Sequence, residues 1–273
     1  MKLVASTFAA SVGLFLASVA PAQTLRYAAD AGATHRYVRS QEDHVVQTVN
    51  GQEQVSDIES YWRFATTVES SEGEDVTISV VHDSISVVSP AAQQPLDFAG
   101  LYGVPLRIRM TDRGEVEEVV LPDSLPEGLG RVDLRTAYGS FYPVLPAEEV
   151  QPGFTWADST EVRTTQNGMD VTVMRINTYT VAGSETAEGR EAVRVDFEAA
   201  FDIAGSGNQQ GAEISLSGTG RGSGRFFIAP EPGLYLGGEE DTEMAMDAFV
   251  SAGEQNLLIP IAQTRSETVD LVE

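Results

Sequence analysis

Val193-Arg194-Val195-Asp196-Phe197-Glu198-Ala199-Ala200-Phe201-Asp202-Ile203 alternates apolar and polar side chains without a break. Period two is the repeat of an extended strand with one buried and one wet face; a helix of this length would need apolar residues three and four apart. The rhythm recurs at Val76-Thr77-Ile78-Ser79-Val80. Arg107-Ile108-Arg109-Met110 runs through Asp112-Arg113-Gly114 into Glu115-Val116, and Phe226-Phe227-Ile228 runs through Pro230-Glu231-Pro232-Gly233 into Leu234-Tyr235-Leu236. Both read as hairpins. Hairpins need no helical crossover, so the expected class is all-β and mainly antiparallel.

The second half echoes the first. Gly32, Tyr61, Val76 and Gly114 match Gly153, Tyr179, Val193 and Gly233 at offsets of 121, 118, 117 and 119. One consistent shift implies two related halves, about 23–146 and 147–273, in a single β-domain. A sheet with that many strands curls, so a curved sheet or half-barrel is expected. One stretch reads differently. Ser124-Leu125-Pro126-Glu127 has capping-box spacing, and Leu134, Ala137, Tyr138, Phe141 and Leu145 follow at helical intervals until Pro143 interrupts. One or two short helices are expected between 124 and 142, on the hollow side of the sheet.

Gly211 to Ala229 carries the main functional expectation. One phase reads Ile214, Leu216, Gly218, Gly220, Gly222, Gly224, Phe226, Ile228; the other reads Ser215, Ser217, Thr219, Arg221, Ser223, Arg225, Phe227. Each interior glycine costs about 0.5–1 kcal/mol relative to alanine, so four in phase require compensation. Glycine lets a strand bend, and it admits close approach by a helix, another sheet or a ligand. The ligand reading makes Leu216, Gly218, Gly220, Gly222, Gly224, Phe226, Tyr138 and Phe141 the candidate lining of a hydrophobic site. Gly220-Arg221-Gly222-Ser223-Gly224 lacks the spacing of either phosphate-binding glycine loop, and no helix pattern follows it.

Composition bounds the rest. Of 17 basic residues, the only lysine is Lys2, and there are 41 acidic ones. That field argues against nucleic acid and anionic membrane surfaces as partners. With no cysteine there is no disulfide, thiolate metal site, thiol nucleophile or lipid-modified cysteine. His35, His44 and His82 lack metal-site spacing, and Glu239-Glu240-Asp241 lacks the alternating ligands of a calcium loop. Gly205-Ser206-Gly207 is not a nucleophile elbow, and nothing selects one pair of carboxylates as acid and base. No cofactor and no metal are expected. Met1-Lys2, the apolar run Leu3–Val19 and Ala20-Pro21-Ala22 read as a secretory signal cleaved near Ala22. No later segment is apolar enough for a helical span, so the expected location is the periplasm or outside the cell.

Leu145-Pro146-Ala147-Glu148-Glu149-Val150-Gln151-Pro152-Gly153-Phe154-Thr155-Trp156, followed by Asn177–Val181 and Gly218 to Leu234, resembles a family of exported bacterial proteins of unknown function. Its mark is a mid-chain Leu-Pro…Val…Gly-x-x-Trp pattern. Many members are lipoproteins, from which this chain departs in lacking cysteine. The resemblance implies no catalytic residues. It implies a shape similar to half-barrel envelope carriers that hold acyl chains. The expected function is therefore non-catalytic binding of a hydrophobic or lipid-like ligand in the cell envelope. The alternatives are a structural or protein-interaction module with a filled core and, further off, a hydrolase with a carboxylate-based site.

Overall fold

The computed structural model describes residues 22–89, 97–122, 134–166, 168–209, 211–253 and 255–272. It is one antiparallel sheet of eleven strands. The strands are β1 (Thr34–Val49), β2 (Gln52–Glu72), β3 (Asp75–Val88), β4 (Pro105–Thr111), β5 (Val116–Val120), β6 (Thr155–Gln166), β7 (Met169–Ala187), β8 (Arg190–Gln209), β9 (Ala212–Ala229), β10 (Leu234–Ala252) and β11 (Gln255–Leu271). Each pairs with its sequence neighbour, except that β5 and β6 are apart and β11 returns to β1. The order β5-β4-β3-β2-β1-β11-β10-β9-β8-β7-β6 leaves the curved sheet open, with β5 and β6 as its edges. This is the all-β half-barrel class expected from the alternation and from the number of strands in one sheet.

Helix is scarce. One six-residue helix, α1 (Leu134–Gly139), falls inside the stretch expected to be helical, and a short 3-10 turn at Ala99–Leu101 was not foreseen. The capping-box residues 124–127, and residues 1–21 of the expected signal, lie outside the described residues.

The core occupies one end of the sheet. Tyr37, Phe64, Val80, Ile108, Val195 and Phe226 share one face and are buried. They are covered by Leu25 and Tyr27, by Phe98 and Leu101, by Leu134 and Tyr138 of α1, and by Phe141, Tyr142, Leu145 and Val150. Phe141 is the hub, with its ring 5.5 Å from Tyr37, 5.3 Å from Phe64 and 5.6 Å from Tyr235. The polar tips are satisfied locally, as buried Tyr and Trp require. Tyr37 donates to Tyr235 O at 2.8 Å, Tyr27 to Pro143 O at 2.8 Å, and Trp156 Nε1 to Val144 O at 3.0 Å. Trp62 packs in this cluster, whereas its neighbour Tyr61 is exposed on the other face.

The two halves share irregularities as well as rhythm. Gly32 N donates to Val68 O (2.8 Å) and Val68 N to Ala33 O (3.0 Å); Gly153 N donates to Val181 O (2.8 Å) and Val181 N to Phe154 O (2.9 Å). Both glycines adopt positive φ, +88° and +86°, which favours glycine at each turn. The β2–β3 ladder shifts register between Val68 and Ser70, and the β7–β8 ladder between Val181 and Gly183. The β4–β5 ladder shifts between Arg109 and Met110, and the β9–β10 ladder between Tyr235 and Gly237. Thus β1–β5 and β6–β10 run in the same order with two bulges at matching points, a further shift between Arg63 and Phe64 belongs to the first set only, and β11 stands between them.

Candidate functional site: the uncovered rows of the core-facing side

The glycine ladder lies in β9 as regular strand, with Gly218 to Gly224 on the core-facing side and Thr219, Arg221 and Ser223 exposed on the other. Its bare positions are occupied by the sheet itself. A Cβ at Gly218 would stand 2.5 Å from Met246 Cγ and 2.6 Å from Ala245 O; at Gly220, 2.7 Å from Met244 Cγ and 2.9 Å from Glu243 O. At Gly224 it would strike Glu239 O and the Phe197 ring. These glycines let β9 and β10 approach closely and let Met and Phe side chains lie over the strand. At Gly222 the nearest atoms are Glu240 Oε1 (2.9 Å) and Thr242 Oγ1 (3.2 Å), which can rotate away. Gly224→Ala should therefore cost about 1–3 kcal/mol, as overpacking against fixed backbone does, and Gly222→Ala clearly less. Urea denaturation of the two variants checks this; equal costs would mean that backbone contact does not set the requirement.

The other proposed lining residues separate. Phe226, Tyr138 and Phe141 are buried in the closed end, whereas Leu216 lies half-buried at the far end of β9. The packing of α1 falls on β5 and on Trp62, Phe64 and His82, away from the glycines. The structure thus brings the glycines together with Leu216 and sets Tyr138 and Phe141 apart.

Following the register across the strands, the core-facing side beyond the aromatic cluster divides into two zones. The first is a polar band. Asp158, Asn177, Ala199, Gly222, Thr242, Arg265 and Asp43 form one continuous row from β6 to β1. Asp43 is buried and accepts from Gln41 at 2.5 Å, Gln263 at 2.7 Å and Arg265 at 2.7 Å. Arg175 donates to Asn177 at 2.6 Å, pairs with Glu240 at 3.0 Å, and lies 5.2 Å over the Phe201 ring. Asp158 accepts from Asn177 at 2.8 Å and Tyr179 at 3.3 Å, and burial still pushes its pKa up. A band satisfied in this way stiffens the sheet.

The second zone lies beyond the band and is apolar. One row is Val162, Val173, Ile203, Gly218, Met246 and Ile261. The next holds Val171, Leu216, Ala248 and Ile259, and the last Met169, Ile214, Val250 and Leu257. By strand geometry these rows span about 15 Å along the strands and about 25 Å across them. Ile203 is buried and the others are half-buried; none belongs to the core cluster, and among the described residues the sheet here is a single layer. The opposite side of the same strands carries Thr219, Asp202, Ala245, Asp247 and Ser217, all exposed, and also the exposed apolar side chains Ile176, Phe249 and Leu258. Met244, Met246 and Ile261 stand in the alternation of β10 and β11, but only register places them beside Gly218 and Ile203.

Two depressions open on the opposite side. One of about 530 Å³ is lined by Thr178, Asp196, Glu198, Ser223 and Asp241; the other, of about 860 Å³, by Thr172, Asp202, Ser217, Thr219 and Asp247. Both are open to solvent; the first is lined mainly by polar and charged side chains, whereas the second also carries Val46, Met174, Ala204, Pro260 and Ala262. A strongly twisted sheet is saddle-shaped, so each face is hollow along one diagonal. Of the histidines, His44 pairs with Asp57 at 2.6 Å on the surface, and His82 is buried in the aromatic core. Among the described residues no three His, Asp or Glu side chains gather as a metal site, and no helix is long and apolar enough to cross a membrane.

No protein-family model and no curated protein matches the sequence. Among solved structures, the chain aligns over 89% of its length with OccK2 (OpdF) of Pseudomonas aeruginosa in complex with glucuronate, covering 100% of that chain at 6% identity and a TM-score of 0.22. It aligns likewise over 89% with OccK8 (OprE) of the same organism (100% of that chain, 5% identity, TM-score 0.23). OmpT, an outer membrane protein of Vibrio cholerae, aligns over 87% (100% of that chain, 8% identity, TM-score 0.20). At these scores the likeness bears on neither fold nor function, and the functional reading rests on the chain's own geometry.

Proposed function

We propose that this is an exported, non-catalytic β-protein of the cell envelope that holds a hydrophobic or lipid-like chain on the apolar rows beyond the polar band. The single observation that carries the reading is the uncovered apolar surface itself. A sheet face with three rows of Val, Ile, Leu and Met ordinarily buries against a second layer, and a contiguous patch of this size on a monomer marks an interaction site. Here the second layer ends with the aromatic cluster while the apolar rows continue. Burial is worth about 0.8 kcal/mol per CH₂, so a long acyl chain lying across six strands gains enough to offset the cost of association. The methionines beside the glycines adapt to an irregular guest, as unbranched thioethers do. The Arg175–Glu240 band would face the polar end of an amphiphile. Export is supported by the N-terminal pattern.

Ala245 and Met246 are adjacent on β10 and face opposite sides. Met246→Asp places a charge in the middle of the apolar rows, and Ala245→Asp places one on the polar side. With a fluorescent polyene fatty acid as probe, Met246→Asp is expected to weaken binding at least tenfold and Ala245→Asp to leave it near the unaltered level. Loss with Ala245→Asp alone would move the site to the opposite side. Failure of the unaltered protein to bind the probe, together with no lipid in native mass spectra of protein isolated from its host's envelope, would discard the reading.

A further inference from the structure

We propose that the protein forms a symmetric dimer by antiparallel pairing of β6 with the β6 of a second copy, in one defined register. The open sheet has two edges, and they are treated differently. β5 has five residues, and its edge is covered by α1, whose Arg135 Nη1 donates to Val119 O at 2.5 Å. β6 has twelve residues, pairs with β7 without a register shift, and contains no proline or lysine. Among the described residues, no backbone hydrogen bond reaches its outer edge between Ala157 and Thr165. Every second residue of an edge strand turns its N–H and C=O away from the sheet, and a long, regular, unguarded edge is a template for another strand.

The matching halves identify what that edge is built to do. β6 occupies in the second half the place of β1 in the first, as the turns at Gly32 and Gly153 show. In β1 the edge away from β2 is paired with β11 from Tyr37–Leu271 to Gln47–Ile261. The equivalent edge of β6 is the open one. The stretch that follows β5, where β11 follows β10, instead leads to α1.

The occupant follows from the charges on β6. Glu161 and Arg163 are its only charged residues beyond Asp158, and both are exposed, bonded to each other at 2.6 Å. An antiparallel pairing of β6 with itself centred on Val162 places Glu161 across from Arg163 of the second copy, and Arg163 across from its Glu161. A centre at Glu161 or at Arg163 sets like charges opposite, which destabilises a cross-strand pair. The Val162 centre sets Val162 against Val162 and Thr160 against Thr164, both on the core-facing side. The two-fold axis then stands perpendicular to the sheet, and the apolar sides of both copies face the same way.

The native absence of cysteine makes the test direct. Val162→Cys should give a covalent dimer on mild oxidation, because residues opposite one another across an antiparallel pair lie about 4.5–5.5 Å apart at Cα, within disulfide reach. Ser159→Cys, which would face Thr165, should not. Sedimentation of the unaltered protein at tens of micromolar should give a dimer mass. Arg163→Glu should shift it to monomer, and the swap Glu161→Arg with Arg163→Glu should restore the dimer, with circular dichroism reporting the fold of each. A monomer throughout, a dimer indifferent to Arg163→Glu, or a dimer in which Val162→Cys does not cross-link would each overturn the proposal.

Discussion

Phe64→Ala is expected to destabilise the protein by about 3–5 kcal/mol, the range for deleting a fully enclosed phenylalanine ring. Phe64 has no exposed surface. Its ring centroid lies 5.9 Å from Tyr37, 5.7 Å from Tyr138 edge-on, 5.3 Å from Phe141 and 6.1 Å from His82. These neighbours come from β1, α1, the segment after α1, and β3, so no single element can move in to fill the void. Removing the ring forfeits its transfer free energy and leaves a cavity that collapses poorly. At about 2–4 °C per kcal/mol for a chain of this size, the midpoint should fall by roughly 10–15 °C. Tyr61→Ala is the matched control, three residues away but 42% exposed on the other side, and should change stability by no more than about 0.5 kcal/mol. Urea unfolding of both variants measures the contrast. A cost below about 1 kcal/mol for Phe64→Ala would mean that the closed end is loosely packed.

Acidification should remove about 3 kcal/mol of stability through His82 alone, between roughly pH 6.5 and pH 4. His82 is 1% exposed among Trp62, Phe64 and Tyr138. Nε2 shares a 2.6 Å hydrogen bond with Tyr138 Oη, and Nδ1 has no partner. Burial lowers its pKa from 6.5 to about 4, with the Asp83 charge only partly opposing the shift. The sign follows from which state takes up the proton. Below pH 6.5 the unfolded chain binds a proton that the folded chain refuses, so unfolding gains as pH falls, and the loss levels off below the folded pKa. A charged imidazolium would also have to bury Nδ1–H without an acceptor. Because the Tyr138 bond ties β3 to α1, the first structural consequence should be release of α1. His82→Phe should flatten the acid limb in this window while leaving carboxylate titration below it. Unfolding curves from pH 7 to 4 on both proteins test this, and an unchanged slope in His82→Phe would refute the assignment.

Much of the architecture is legible in residue order. The alternation from Val193 to Ile203 specifies a two-faced strand wherever it is placed, because the side-chain period of a strand is two and that of a helix is 3.6. The hairpins at Gly114 and Gly233 follow from local turn chemistry, and the offsets near 119 foreshadow matching bulges. The site was less legible. The ladder from Gly218 to Gly224 announces bare positions, but not that Met244, Met246 and Phe197 from adjacent strands lie over them. Tyr138 and Phe141 share helical spacing with Leu134, yet that spacing does not say which end of the sheet they cover.

Residue order by itself determined that this chain makes long strands of alternating side chains joined by tight turns. Those are properties of single segments and their nearest neighbours. Tertiary structure alone decided that β11 closes onto β1, that the aromatic cover stops partway along the strands, and that β6 is left as the long open edge. Each of these depends on which strand lies beside which and in what register. A slip of one residue would exchange the two sides of every strand, and only the assembled sheet fixes that choice.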